Sequence, residues 1–309
     1  MKPGVICGFL DTFAQTADRE SFQLSSVRCN GQEVDNLLKS CEEIKEVTYI
    51  DLSNNSLADI SSMKDLSRLT KLVLTNNKIK NMNIFAMEEC FPNLKYLDIS
   101  FNKFVEWPAF KCPKLDYLNI SGNKLEKVNE GWAGHPNLRI LSAFDNKFKS
   151  LANFKAMPKL EELYLAQNMI VSLNGWEGGL PSLKRLHLRR NKIVTFDDEL
   201  GELPELEYLN LRHNAIESLD QAFKVFQWPN LKDLNIINNP CDNNVSSFVI
   251  LMAEFLIKKP SLKRFCKERV MERHQLEAIH LARYRWEKSE AERKAKELAD
   301  AAAAAQEEN

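Results

Sequence analysis

Apolar positions recur along most of this chain in one fixed frame. In residues 160–170, Leu160, Leu163, Leu165, Asn168 and Ile170 fit the pattern L-x-x-L-x-L-x-x-N-x-L. Nine copies follow one another, with central apolar positions at Ile50, Leu72, Leu97, Leu118, Leu141, Leu163, Leu186, Leu209 and Leu234. The steps between them are 22, 25, 21, 23, 22, 23, 23 and 25 residues. Apolar–polar alternation around each of these positions predicts a short strand with one face in a core. Parallel strands stack about 4.8 Å apart, so eight steps span roughly 40 Å.

Between strands the apolar period changes to three: Leu57, Ile60, Met63, Leu66 and Leu69. That period suits 3-10 or short helical turns on an outer, convex side. Eight of the eleven prolines stand two residues before the leading leucine of a unit, at 92, 113, 136, 158, 181, 204, 229 and 260. Proline cannot donate a backbone hydrogen bond and favours an extended predecessor, so each one marks the move from convex leg to strand. Trp107, Trp132, Trp176 and Trp228 fall on the convex legs, where filling of the longer units is expected. An asparagine lies five residues after each central apolar position, from Asn55 to Asn239. Its amide can both donate and accept, which suits a turn that leaves backbone groups unpaired.

These features predict an α/β solenoid: a leucine-rich-repeat horseshoe with a parallel concave β-sheet, a helical C-terminal cap and a long C-terminal helix. Residues 1–21 form an N-terminal extension, read as a frayed terminus or as a segment that docks on a partner or the first repeat. Residues 22–46 form an N-terminal cap, with Leu24 and Val27 on a strand and Val34, Leu37 and Leu38 on a helical turn. Residues 47–242 hold the nine repeats, and residues 243–267 a C-terminal cap whose end, Pro260, Leu262 and Phe265, imitates a further half-repeat. Residues 268–309 are charged, alanine-rich and free of proline and glycine, as a long helix requires. There Leu276, Ile279, Ala282 and Trp286 can share one face of an arm that lies along a neighbour.

Composition narrows the function more than it names it. Lysine plus arginine number 42 against 43 acidic residues, so no global field draws the chain to nucleic acid or an anionic membrane. The seven cysteines are odd in number and include no C-x-x-C, which argues against a zinc site or a disulfide framework. The first residues are weak as a signal peptide, Lys2 argues against N-myristoylation, and no apolar run reaches the length of a membrane helix. The expected setting is the cytoplasm or a cilium. N-x-S/T matches begin at Asn54, Asn119 and Asn244 and carry no weight without secretion. No phosphate loop, nucleophile elbow or H-E-x-x-H is present, and the five histidines are scattered. Neither an enzyme nor a cofactor nor a metal site is expected.

The polar positions of the strands face the concave side and are candidate partner-binding residues. They include Tyr49, Tyr96, Tyr117, Tyr164 and Tyr208, five of the six tyrosines. Two explanations stand side by side: tyrosine favours strands, and tyrosine is enriched at interfaces. Arg185, His187, Arg189, Arg190, Arg212 and His213 make the later repeats basic, whereas Asp51, Ser53 and Asp98 occupy the first ones. A basic cluster is either a solvated face or a seat for an acidic loop or tail of a protein partner. On the arm the candidates are Leu276, Ile279 and Trp286.

The repeat length and convex period resemble the SDS22-like class of leucine-rich repeats. LYLAQNMI (163–170), LHLRRNKI (186–193), YLNLRHNAI (208–216) and NPC (239–241) resemble the leucine-rich repeat protein of ciliary radial spokes, over about residues 45–267. That resemblance implies a non-catalytic subunit of a hetero-complex, the spoke head of motile cilia. Its partners would be other radial spoke subunits, with neither nucleic acid nor membrane, and its location the cytoplasm and ciliary axoneme. The alanine-rich tail departs from the acidic one the resemblance implies. The competing expectation is a leucine-rich-repeat regulator of a phosphatase or another enzyme, or a dynein-associated axonemal adaptor.

Overall fold

A computed structural model describes residues 10–15, 22–28, 46–81, 83–87, 90–107, 110–130, 132, 134–152, 154, 156–173, 180–196, 200–243, 245 and 247–307. The helical turn expected around Val34, Leu37 and Leu38, the glycosylation match at Asn244 and the convex residue Trp176 lie outside them. The elements in chain order begin with β1 (Leu10–Gln15) and β2 (Phe22–Arg28). The repeat strands follow: β3 (Tyr49–Asp51), β4 (Lys71–Val73), β5 (Tyr96–Asp98), β6 (Tyr117–Asn119), β7 (Ile140–Ser142), β8 (Glu162–Tyr164), β9 (Arg185–His187) and β10 (Tyr208–Asn210). After these come α1 (Leu219–Phe223), β11 (Asp233–Asn235), α2 (Pro240–Asn243), α3 (Phe248–Lys258), β12 (Arg264–Phe265), β13 (Glu268–Arg269) and α4 (Glu272–Glu307).

All thirteen strands form one sheet in sequence order. It is parallel from β2 to β12 and ends in an antiparallel partner at each side, β1 on β2 and β13 on β12. The central apolar residues pair in register along it: Ile50 with Leu72, Leu72 with Leu97, Leu141 with Leu163, Leu163 with Leu186 and Leu209 with Leu234. Phe265 extends the file beyond Leu234, which gives the half-repeat at the C-terminal end a strand of its own. Leu10–Gln15, expected as a frayed terminus or a docking segment, is a strand on the sheet's first edge. Pairing at both ends limits the open strand edge that a solenoid would otherwise present.

One continuous core runs behind the sheet. Leu163, Leu165, Leu160 and Ile170 have no exposed surface. Trp107, Trp132 and Trp228 are buried on the convex side, with Trp107 and Trp132 packed edge to face at 5.2 Å. Filling, rather than docking, is their role. The four described cysteines, Cys90, Cys112, Cys241 and Cys266, are buried free thiols.

The asparagines sew the repeats together. Asn168 Nδ2 donates to the carbonyls of Leu165 (3.1 Å) in its own repeat and Ala143 (3.0 Å) in the preceding one. Its Oδ1 accepts from the Phe148 backbone N–H at 3.1 Å. Asn77, Asn102, Asn123, Asn146, Asn191, Asn214 and Asn239 accept from the preceding repeat in the same way. The residue before each repeat asparagine adopts a positive φ, including Gln167, Arg190 and His213. The turn that ends every strand therefore has one geometry.

The C-terminal helix has 36 residues, or about 54 Å at the usual rise. Its first turns fold back on α3. Ala278 is buried, Leu281 packs against the core, and Arg285 reaches Glu254 on α3 with a two-pronged ion pair whose longer arm is 2.8 Å. The face that docks is thus Ala278, Leu281 and Arg285.

Candidate functional site

The concave sheet presents its polar positions in files, because register places equivalent residues of successive repeats side by side. The first file runs through Tyr49, Lys71, Tyr96 and Tyr117, and later through Arg185 and Tyr208. Tyr164 is two residues beyond Glu162, the first-file residue of its strand, in a second file beside Ser142 and His187. All five tyrosines therefore stand on the concave sheet, four in one file and one in the next, and all are half-buried.

Their rings contact one another and intervening cations. The Lys71 ammonium sits between the rings of Tyr49 and Tyr96, 4.8 and 4.7 Å from their centres. Tyr96 and Tyr117 stack in parallel at 4.3 Å. In the later repeats His187 lies between Tyr164 (4.6 Å) and Tyr208 (4.7 Å), with the Arg185 guanidinium 5.0 Å from the Tyr208 ring. Tyr49 donates to Asp51 and Tyr164 to Glu162. Burial, the Glu162 hydrogen bond and its charge push the Tyr164 phenol up to about 12, so it stays a neutral donor. The result is a stiff aromatic surface with little rotamer freedom left to lose on binding.

Charge is distributed unevenly across this face. Asp51 is occupied by the Ser53 amide and Asp98 by the Ser100 amide and the Asn119 side chain. Beside the first file, acids and bases of neighbouring repeats pair: Asp116 with Arg139, Glu161 with Lys184 and Glu207 with Lys232. A hollow of about 480 Å³ is lined by such alternating charges, among them Glu161, Lys184, Arg185, Glu207, Lys232 and Asp233. Burial, with help from Arg185, holds His187 down to about 4, so it contributes a ring and not a charge. Arg189, Arg190 and Arg212 cluster where the strands of two repeats turn, and no ion pair is recorded for them among the described residues. Their charges, after desolvation, hold His213 below its ordinary value.

On the arm, Leu276, Ile279 and Trp286 are 49%, 62% and 64% exposed. Ile279, with the half-buried Ala282, flanks a groove against Leu256 and Ile257 of α3. Sequence reasoning missed Glu254 and Arg285. An acid inside the apolar run FVILMAEFLIK was the available signal, since a buried carboxylate needs a partner.

Among the described residues no group of three or more His, Cys, Asp or Glu side chains could hold a metal ion. No described helix is long and apolar enough to cross a membrane.

Comparison with known proteins gives the same architecture. The family described as Leucine rich repeat matches residues 92–148 and 150–193, and Leucine Rich repeats (2 copies) matches residues 181–224. The chain is 31% identical over 234 residues to human Leucine-rich repeat-containing protein 23, covering 74% of this chain and 64% of that protein. It is 28% identical over 169 residues to the Arabidopsis thaliana Protein phosphatase 1 regulatory inhibitor subunit PPP1R7 homolog, covering 53% of this chain and 50% of that protein. The chain thus spans less than two thirds of the length of either relative. Among solved structures, the functional domain of InlJ from Listeria monocytogenes superposes with a TM-score of 0.58 at 19% identity, covering 82% of this chain and 56% of that one. Repeat spacing, strand register and these matches agree: the chain has the leucine-rich-repeat solenoid fold, with the matches to the repeat families lying within residues 92–224.

Proposed function

We propose that this chain is a non-catalytic scaffold that engages other proteins through its concave sheet, and that it is a structural subunit of the axonemal radial spoke, at the spoke head, in motile cilia. The observation that carries the scaffold reading is the concave face itself. Tyr96 on Tyr117, and Tyr164 on His187 on Tyr208, form rigid half-buried ring contacts on the sheet. The spoke assignment is supported by the resemblance of residues 163–170, 186–193 and 208–216, which supply β8, β9 and β10 of that face.

Cross-linking mass spectrometry on isolated axonemes tests it. The chain should remain with the axoneme after detergent extraction and form cross-links to radial spoke subunits. Complete release by detergent, with no such cross-links, contradicts the assignment.

A second reading is favoured by the similarity to the Arabidopsis phosphatase inhibitor subunit homolog, which covers 53% of this chain. On that reading the same face holds a phosphatase, and the purified chain would form a stoichiometric complex with it and alter its turnover.

A further inference from the structure

Several charges on this molecule are matched across the gap between repeats, whereas a group of neighbouring arginines carries no ion pair among the described residues. Asp116 pairs with Arg139, Glu126 with Lys149, Glu161 with Lys184 and Glu207 with Lys232. In the same repeats as Lys184 and Glu207, but at the opposite ends of β9 and β10, stand arginines without such partners among the described residues. Arg189 and Arg212 occupy equivalent positions of adjacent repeats, two residues beyond the paired His187 and Asn210. Arg190 and His213 follow them in the two turns, both with φ of 57°. The Arg190 N–H donates to the Arg212 carbonyl at 2.9 Å, so the two turns are in direct contact.

Among the described residues no acid pairs with these arginines. The Nε atoms of Arg189 and Arg212 are shielded from water and have no acceptor. His213 contacts the Asn238 amide, and Asp242 is engaged by the Asn238 backbone N–H at 2.7 Å. Like charges side by side on neighbouring strands oppose folding. A buried guanidinium donor without an acceptor adds to that cost. An external anion at the partly exposed ends of these side chains would offset the repulsion between them.

The shape of the cluster selects among anions. Three arginines and a histidine stand at the strand ends of two adjacent repeats, whose strands lie about 5 Å apart. A phosphate monoester offers up to two negative charges and three acceptor oxygens, enough to engage several forks at once. A carboxylate offers one charge and two oxygens. A nucleic acid strand would have to continue from the cluster past Glu162, Glu161, Glu207 and Asp233 on the same sheet, and would be repelled there. We propose that Arg189, Arg190, Arg212 and His213 form a receptor for a single phosphorylated serine or threonine on a partner protein. The neighbouring stack of Tyr164, His187 and Tyr208 offers a platform for the peptide beside the phosphate. This rests on the reading of the concave sheet as the partner-binding face.

The test uses the full chain and labelled degenerate peptide pools with phosphoserine, serine or glutamate fixed at the centre, read by fluorescence anisotropy. The phosphoserine pool should bind at least about tenfold more tightly than the serine pool, and more tightly than the glutamate pool. Arg189→Gln with Arg212→Gln should abolish that preference, and Arg189→Lys with Arg212→Lys should lose most of it, because the charge stays but the fork goes. Arg139→Gln, which removes a paired arginine elsewhere, should leave it unchanged. Equal binding of the three pools, equal binding of a single-stranded oligonucleotide, or an equal loss in Arg139→Gln overturns the proposal. If a partner cross-links to the concave face without phosphate selection, this inference falls and its parent reading stands. If phosphate selection is present and partners cross-link only elsewhere, the parent reading falls.

Discussion

Leu163→Ala should lower the free energy of unfolding by about 2–5 kcal/mol, the range for truncating a buried leucine where the surroundings only partly collapse. Leu163 is fully buried at the centre of β8 and lies in register between Leu141 and Leu186. In a repeat array each unit is held only by its neighbours, so the loss falls on two interfaces at once. Equilibrium urea unfolding measures it. Besides a lower midpoint, the variant should show broadening, as the repeats before and after the cavity begin to unfold separately. Tyr164→Ala, one residue away on the concave side, should cost far less. A change below about 1 kcal/mol for Leu163→Ala would mean that the core does not run through this position.

Asn168→Ala should cost about 2–4 kcal/mol, because a buried hydrogen-bonding centre disappears and its partners are left dry. The Phe148 N–H loses its acceptor, and the Ala143 and Leu165 carbonyls lose their common donor. Asn168 is only 7% exposed, so water does not readily replace the amide. Asn168→Asp is the sharper comparison. It keeps the volume and the acceptor, but in its ionised form turns a donor toward carbonyl oxygens. It should be at least as damaging as alanine at neutral pH and partly recover below the carboxylate's own, raised pKa, where the protonated acid can donate again. Thermal and urea melts of both variants across pH 4–8 check this. An aspartate variant as stable as the parent would show that the asparagine ladder contributes little.

The repeats were legible because their determinants are local. The spacing of apolar residues alone places Ile50, Leu72, Leu163 and Leu234 at strand centres, and the structure pairs them in register. The asparagines were legible for the same reason, since each acts on its own turn and the adjoining one. What the sequence hid depends on contacts between distant segments. The strand Leu10–Gln15 exists through its partner Phe22–Arg28, and its residues carry no alternation strong enough to announce it. The arm's docked face uses Ala278 and Leu281 for packing and Arg285 for an ion pair, so the large residues Leu276, Ile279 and Trp286 drew attention instead.

The candidate site shows the same division. Placement of the tyrosines on the concave sheet follows from strand alternation, but their distribution between two files follows from which of two outward positions each repeat uses. The basic composition of the later repeats was visible in Arg185, Arg189 and Arg212. That Arg185 joins a ring stack whereas Arg189 and Arg212 have shielded, unsatisfied Nε atoms is visible only in three dimensions. Residues with the same charge thus stand in different surroundings: Arg185 lies over a tyrosine ring, and Arg189 and Arg212 lie over none among the described residues.

The most direct measurement is the affinity of the full chain for the axonemal partner to which it cross-links, compared between the parent and Tyr164→Ala combined with Arg189→Ala. Both side chains stand outside the core, so the variant should remain folded, as circular dichroism and a cooperative melt would show. Its binding should weaken by about tenfold or more, as loss of an aromatic anchor and a charged contact at an interface implies. Unchanged affinity in a fully folded variant would move binding to the convex legs or the C-terminal helix and contradict the concave-face account.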